Sequence, residues 1–424
     1  MREKQSICLL NDSFPPQIDG VSNTILNYAR QIEATGSKSI VVTPSHPQAD
    51  DEKYRFPIVR YPSVTFRKMD GYMAGIPFSP EVAKEVSAQA PALLHTHCPI
   101  MSTFMARELR QIVDAPIVLT YHTKFDVDIS NIVKSRHLQN ACKKALVANI
   151  NACDEVWAVS QGAGENLRSL GYEGDYIVMP NGVDLPRGKV SDEQIAAVVN
   201  GCDLPAGVPV YLFVGRMMWY KGIRIILDAL RGLHQQEKRF RMVFIGDGDD
   251  REEIEQYAET CGIKDACIFT GAIRDREALR AWYCRADLFL FPSSYDTNGL
   301  VVREAAACGL ASVLIENSCA AEGVTDGRNG FLIPESADNL CQRLVSLHGD
   351  FDATRTVGRY ASEELYISWE SAVQTAMDRY AVVMERYQSG YYPRRIRPME
   401  GFMKLNGELM ECLASLSTKR RMKE

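Results

Sequence analysis

Short apolar runs recur along the chain, each ending in a polar loop and followed by a longer amphipathic stretch. In the first half the runs fall at 6–10, 39–43, 93–95, 117–120 and 155–159, with helical patterns at 21–34 and across 130–152. In the second half they fall at 210–214, 241–245, 267–270, 289–291 and 331–333, with helical patterns near 223–233, 252–260 and 277–284. Apolar runs without alternation suit strands buried on both faces, and helices between them suit parallel crossovers. The pattern predicts an α/β fold of two Rossmann-like parallel-sheet domains whose strand ends face each other across a cleft. A long helical pattern from 368 to 387 and a tail complete the chain.

Composition places the domain limits. After Asn181-Gly182-Val183-Asp184 the alternation gives way to a polar stretch with Pro186, Gly188, Pro205, Gly207 and Pro209, which reads as a linker. The expected division is a first domain over 1–188, a linker at 189–209, a second domain over 210–370, and a crossover helix with a basic tail over 371–424. A length of 424 residues with 46% hydrophobic content is ample for two cores. The net charge of −6 argues against nucleic acid as a partner. From 391 onward eight basic residues stand against four acidic ones, a solvated tail or a contact for an anionic surface. The opening apolar stretch is too short for a leader or a membrane span, so the expected location is cytoplasmic. The twelve cysteines form no Cys-x-x-Cys pair and no zinc-like grouping, so reduced structural thiols and no metal site are expected.

The candidate chemistry lies in loops at strand ends. Pro292-Ser293-Ser294-Tyr295-Asp296-Thr297-Asn298 leads into a helix starting at Gly299, with Glu304 inside it. Among 54 acids in 424 residues, an acid eight positions after another arises about seven times by chance, so the surroundings carry the signal. Gly215-Arg216 directly follows a strand, and Lys221-Gly222 opens the next helix. Both cations would stand at the carboxyl end of the sheet, where a guanidinium fork and an ammonium suit a diphosphate. Taken alone they read as ordinary surface cations. His95 and His97, in His95-Thr96-His97-Cys98-Pro99, read as polar loop residues rather than a ligand pair.

The combined pattern is recognisable. Asp19-Gly20-Val21, Thr120-Tyr121-His122-Thr123, Asn181-Gly182-Val183-Asp184, Gly215-Arg216 with Lys221-Gly222, Gly246-Asp247-Gly248 and the acid-x7-acid motif ending in Glu304 resemble, in order and spacing, the retaining glycosyltransferases of family 4. The resemblance spans nearly the whole chain. It implies a GT-B fold, a nucleotide diphosphate sugar held by the second domain as co-substrate, an acceptor bound by the first, and no metal or other cofactor. Matched position by position, Arg216 and Lys221 would grip the diphosphate, Glu304 would accept from the ribose hydroxyls, and Asp296 would touch the sugar. Backbone N–H groups of Gly299, Leu300 and Val301 would cap phosphate or sugar. Gly20 would let the backbone approach the diphosphate, His122 would lie beside the donor sugar near its anomeric carbon, and Ile273 would lie beside the nucleobase. The implied mechanism is front-face substitution with retention, so the catalytic set would be His122, Arg216, Lys221 and Asp296.

Two positions depart from the family pattern. Asp296 stands where Glu is usual, shorter by one carbon–carbon bond of roughly 1.5 Å, and Asn298 stands where an aromatic residue is common. On the acceptor side, the segment 54–78, with Arg55, Arg60, Arg67 and Lys68 among Tyr61, Phe66, Tyr72 and Met73, resembles loops of lipid-glycosylating members such as diacylglycerol glucosyltransferases. With Lys134, Arg136, Lys143 and Lys144 it would offer a basic, aromatic face to an anionic membrane, placing the protein peripherally on the inner face. Asp126 and Asp128 suit a saccharide or other soluble polyol instead. The overall likeness implies uridine diphosphate glucose as donor. A sugar-nucleotide epimerase on the same plan and a degenerate, non-catalytic nucleotide-sugar binding protein are the competing readings.

Overall fold

The computed structural model describes residues 5–392 except 18, 67–71 and 78. Packing divides the chain into two units, one formed up to Asn181 together with the segment from Trp369, the other Gly182–Ser368.

The first unit contains β1 (Ser6–Leu10), β2 (Lys38–Pro44), β3 (Ile58–Tyr61), β4 (Ser63–Phe66), β5 (Tyr72–Gly75), β6 (Leu93–Thr96), β7 (Ile117–Tyr121), β8 (Glu155–Ala158) and β9 (Ile177–Val178). Seven of these form one parallel sheet in the order β3-β2-β1-β6-β7-β8-β9, and β4 and β5 pair as a separate antiparallel hairpin. Strand order reverses between β1 and β6, which pair with Leu10 opposite Thr96. Such a reversal opens a crevice at the carboxyl ends of the two strands. Every residue of β6 and β7 is buried, as expected for strands with helices on both faces.

The C-terminal helix Trp369–Gln388 belongs to this unit because its aromatic side chains complete the core. Tyr380 stacks on Trp157 with ring centroids 5.3 Å apart, and Trp369 meets Tyr28 edge-on at 6.1 Å. Each such buried aromatic contributes roughly 1.5–3 kcal/mol of burial. Arg379 adds an ion pair to Glu155 at the start of β8.

The second unit contains β10 (Val210–Val214), β11 (Arg241–Ile245), β12 (Cys267–Gly271), β13 (Leu288–Phe291), β14 (Ser312–Ile315) and β15 (Phe331–Ile333). They form one parallel sheet ordered β12-β11-β10-β13-β14-β15, reversing between β10 and β13. Its strands carry a ladder of stacked phenylalanines, with Phe213 against Phe291 at 5.9 Å and Phe244 against Phe269 at 4.9 Å.

Among the described residues, ten of the thirteen strands in the two parallel sheets are those read from the apolar runs; β3, β9 and β14 were not read, nor were helices such as Met101–Val113, Ala337–Leu347 and Phe351–Glu364. The expected linker is not a free connection. Residues 189–209 carry the helix Asp192–Val198, and Ile195, Val198, Cys202 and Leu204 pack against the second core, so the first crossing falls at Asn181 and Gly182. The return crossing falls at Ser368 and Trp369. The expected basic tail, with Arg394, Arg395, Arg397 and Lys419, lies outside the described residues, as do Arg67 and Lys68.

Candidate active site

In the second unit the reversal of strand order brings two loops together. One follows β10 and holds Gly215 and Arg216; the other follows β13 and runs from Pro292 to Gly299. A tight approach locks them. Gly222 adopts φ 78°, and a Cβ there would lie 1.9 Å from the Pro292 carbonyl oxygen, so only glycine fits. This seats the preceding residue, Lys221, beside the second loop. Its Nζ lies 2.6 Å from Asp296 Oδ1, and Asp296 Oδ2 accepts from the Ser293 hydroxyl at 2.6 Å. An ammonium has three donors and a carboxylate about four acceptor positions, so both retain capacity for a ligand. Arg216 is exposed, and its side chain has no hydrogen-bond or ion-pair partner among the described residues.

The helix Leu300–Ala307 starts at the same place. Gly299 sits in the left-handed region at φ 56°, and a Cβ on it would come within 2.9 Å of Ala320 Cα. No side chain caps this helix, so its first N–H groups, Leu300 and Val301 among them, stay open to an anion. One turn further, Glu304 is 9% exposed and held at both oxygens. Arg276 donates to Oε1 at 2.7 Å and the Tyr283 hydroxyl to Oε2 at 3.0 Å. Burial and the adjacent Glu304 charge hold the Tyr283 phenol well above its usual range, so it stays a donor. Asn298 is buried, and neither end of its amide has a partner among the described residues. Leaving such a group unsatisfied costs about 1–3 kcal/mol. Ile273 follows β12 at the sheet edge, half-buried on the core.

The first unit's switch point is built differently. Its loop after β1 ends in Asp19, which caps the helix Gly20–Ala34: Oδ1 accepts from Val21 N at 2.8 Å and Ser22 N at 2.7 Å, and Oδ2 from the Ser13 hydroxyl. Gly20 is the first helical residue, and a Cβ there would meet nothing within 4 Å. After β6 and β7 stand His97 and His122, joined Nδ1 to Nε2 at 2.9 Å. His95 lies beneath them, with its ring nitrogens on the Tyr380 and Thr120 hydroxyls. Burial pushes His122 down to about 3 and holds His95 and His97 well below 6.5, so all three are neutral near pH 7.

Comparison with known proteins places this geometry. The family described as Glycosyltransferase Family 4 matches residues 18–187, and that described as Glycosyl transferases group 1 matches residues 208–350. The chain belongs to the family 4, group 1 glycosyltransferases. An alpha-monoglucosyldiacylglycerol synthase of Streptococcus pneumoniae is 27% identical over 72% of this transferase and 69% of its own length. A GDP-mannose-dependent alpha-mannosyltransferase of Corynebacterium glutamicum is 26% identical over 77% and 76%. Among solved structures, sucrose-phosphate synthase of Thermosynechococcus elongatus shares the fold with a TM-score of 0.72 at 23% identity, covering 90% of this chain and all of that one. The GT-B architecture follows.

Within the transferase's second unit, Arg216, Lys221, Asp296, Gly299, Leu300, Val301 and Glu304 gather at one switch point, and Ile273 lies at the end of the edge strand. Gly20 and His122 lie at the carboxyl ends of strands in the first unit. Sequence reading missed the partners of these residues: Ser293 on Asp296, Arg276 and Tyr283 on Glu304, and His97 on His122. The separations, 28 residues from Arg276 to Glu304 and 25 from His97 to His122, leave no local pattern to find. Arg60, expected on a basic face, is engaged internally. Its guanidinium forks onto Asp51 at 2.7 and 2.8 Å and donates to the Pro44 and Pro15 carbonyls. Asp126 accepts from Asn166 at 2.9 Å.

Proposed function

We propose that this glycosyltransferase moves glucose, with retention, from uridine diphosphate glucose to a hydroxyl of a membrane lipid such as diacylglycerol. The observation that carries the donor half is the grouping of exposed, unpartnered Arg216, Lys221 and an uncapped helix start at one switch point. Two cations and open N–H groups form a diphosphate receptor, with each charge-assisted hydrogen bond contributing about 1.5–3 kcal/mol and the helix start adding up to ~2 kcal/mol. Glu304, fixed by Arg276 and Tyr283, has lone pairs left for two ribose hydroxyls. Asp296, held by Lys221, meets the sugar.

In this reading the bond from the anomeric carbon to the diphosphate breaks on the face where the acceptor oxygen arrives. The departing phosphate oxygen takes the acceptor proton, so no enzymic base is needed. Arg216 and Lys221 stabilise the charge that develops on the leaving group, which makes electrostatic complementarity the main source of rate. They do so in place of a divalent ion, and activity is expected to survive a chelator. His122, neutral near pH 7, serves as a hydrogen-bonding group beside the sugar.

The lipid half rests on the surface of the first unit. Leu138 is 55% exposed on the helix Arg136–Ile150, with Lys134, Arg136 and Lys144 exposed around it. Val64 and Ile76, at the β4–β5 hairpin, are also exposed. Cations around protruding apolar side chains suit an anionic bilayer, each cation contributing on the order of 1 kcal/mol. Among the described residues no helix is long and apolar enough to cross a membrane, so the contact proposed is peripheral. The name of the pneumococcal relative supports the same acceptor. The test is a panel of radiolabelled nucleotide sugars offered with diacylglycerol vesicles and, separately, with soluble saccharides. Label moving from uridine diphosphate glucose into glycolipid is expected. Label appearing only in soluble saccharide removes the lipid acceptor, and binding without transfer or hydrolysis removes the enzyme reading.

A further inference from the structure

Among the described residues, the histidine cluster of the first unit is wired except at two ring nitrogens, His97 Nε2 and His122 Nδ1. Both nitrogens of His95 are engaged, and His97 Nδ1 lies 2.9 Å from His122 Nε2. His97 Nε2 is buried and has no partner among the described residues. Burial, with His95 and His122 as neighbours, keeps His97 neutral near pH 7, so its ring carries one proton. If that proton were on Nε2, a donor would be sealed away from water with nothing to accept it, while His122 donated into Nδ1. With the proton on Nδ1, the 2.9 Å bond is made and only a lone pair is left unanswered. Orphaned buried N–H groups are the rarer outcome in proteins. His122, also neutral, then accepts at Nε2 and carries its own proton on Nδ1.

The geometry points to His97 as a positioning residue that fixes the tautomer of His122 and thereby makes His122 Nδ1 a hydrogen-bond donor. Packing holds the pair in this relation. The two rings lie near-coplanar and end to end, centroids 5.2 Å apart with a 19° interplanar angle, and His97 is flanked by His95 at 3.9 Å and Tyr28 at 5.4 Å. His122 keeps 7% of its surface open, and its Nδ1 has no partner among the described residues, which leaves that N–H for a ligand oxygen. In the transfer reaction the ligand oxygen would belong to the donor sugar. That consequence rests on the proposed function, whereas the tautomer itself does not.

The experiment is long-range proton–nitrogen correlation on the full chain labelled with ¹⁵N-histidine. The sequence has seven histidines, and a His122→Gln sample assigns the relevant signal. The expected result is a His122 protonated on Nδ1 in the unliganded wild type. A proton on Nε2, as required if His97 instead points its N–H at the Tyr28 ring, overturns the proposal. His97→Leu should release His122 to the Nε2 form and lower kcat roughly tenfold, about 1.4 kcal/mol. His97→Asn, which returns an amide N–H close to the Nδ1 position, should restore both readouts. An unchanged His122 signal in His97→Leu also overturns the proposal. If that variant does not fold, the wild-type spectrum decides alone. An Nδ1 proton in a protein that transfers no sugar would support the tautomer assignment and count against the transferase reading.

Discussion

The two Rossmann-like units solve the same topological problem with opposite chemistry. Each reverses its strand order beside its first strand and so opens a crevice at the strand ends. In the second unit that crevice is charged and unfinished: an exposed Arg216, a Lys221 with donors to spare, and a helix start without a cap. In the first the helix start is capped by Asp19, and three uncharged histidines are buried together. An open electrostatic site suits a highly charged ligand that must be gripped and released. A capped helix start beside buried, uncharged imidazoles suits a group that needs orientation more than charge.

The contrast yields predictions that break it or sharpen it. The largest effect belongs to the cations. Arg216→Ala or Lys221→Ala should lower kcat by about 100- to 1,000-fold, as for loss of one preorganised transition-state donor. The thermal melt of Arg216→Ala should not move, since the Arg216 side chain has no partner among the described residues. Near-normal turnover in both variants would remove the phosphate grip. Glu304→Gln should come next, raising the donor KM about 10- to 100-fold through weakened charge-assisted hydrogen bonds, with a smaller change in kcat.

The first unit should be the acid-sensitive one. Burial holds His95, His97 and His122 below the free value of 6.5. As pH falls, the unfolded chain therefore takes up protons first. The stability these rings carry is complete above pH 6.5 and is lost as the pH drops toward about 3 for His122. Each ring contributes a slope of up to about 1.4 kcal/mol per pH unit in that window. Melts between pH 7 and 5, read by hydrogen exchange peptide by peptide, should show first-unit peptides losing protection before second-unit ones. Equal sensitivity of both units would contradict the contrast.

The smallest pair of effects compares two glycines. Gly222→Ala should destabilise by about 1–3 kcal/mol, because the left-handed backbone and the Pro292 carbonyl leave no room for a methyl. Gly20→Ala should fold within about 0.5 kcal/mol of wild type, since the space around it is open. Any loss of donor use in that variant then reports a ligand, not a fold.

Apolar runs made most strands legible because strands covered on both faces are largely apolar, as β10 and β13 are. The missed strands are those in which that rule weakens, the edge strand β3 with its alternating burial among them, and helices such as Met101–Val113, Ala337–Leu347 and Phe351–Glu364 were missed as well. β9 has two residues, and the β4–β5 hairpin stands outside the main sheet. β14 follows directly on the Ala-rich helix Leu300–Ala307, so its apolar run merged with the helical pattern. Residues 189–209 read as a linker because the stretch is polar, yet its few apolar side chains suffice to dock a short helix. At the site, residues with a fixed motif position were readable. Their partners were not: Tyr283 reaches Glu304 from a separate helix, and Tyr380 reaches His95 across 285 residues. Asp296 gains a physical context that spacing alone does not provide. A carboxylate that Lys221 meets at 2.6 Å and Ser293 braces from the other side has its position set by this loop, short side chain included.

The measurement that bears most directly on the central claim is calorimetric titration of uridine diphosphate into the wild type, Arg216→Ala and Gly20→Ala. If the open, charged switch point of the second unit is the diphosphate receptor, the wild type binds, and Arg216→Ala weakens binding about 10- to 100-fold, the loss of one charge-assisted contact, with its fold intact. Equal affinity in wild type and Arg216→Ala would contradict that assignment.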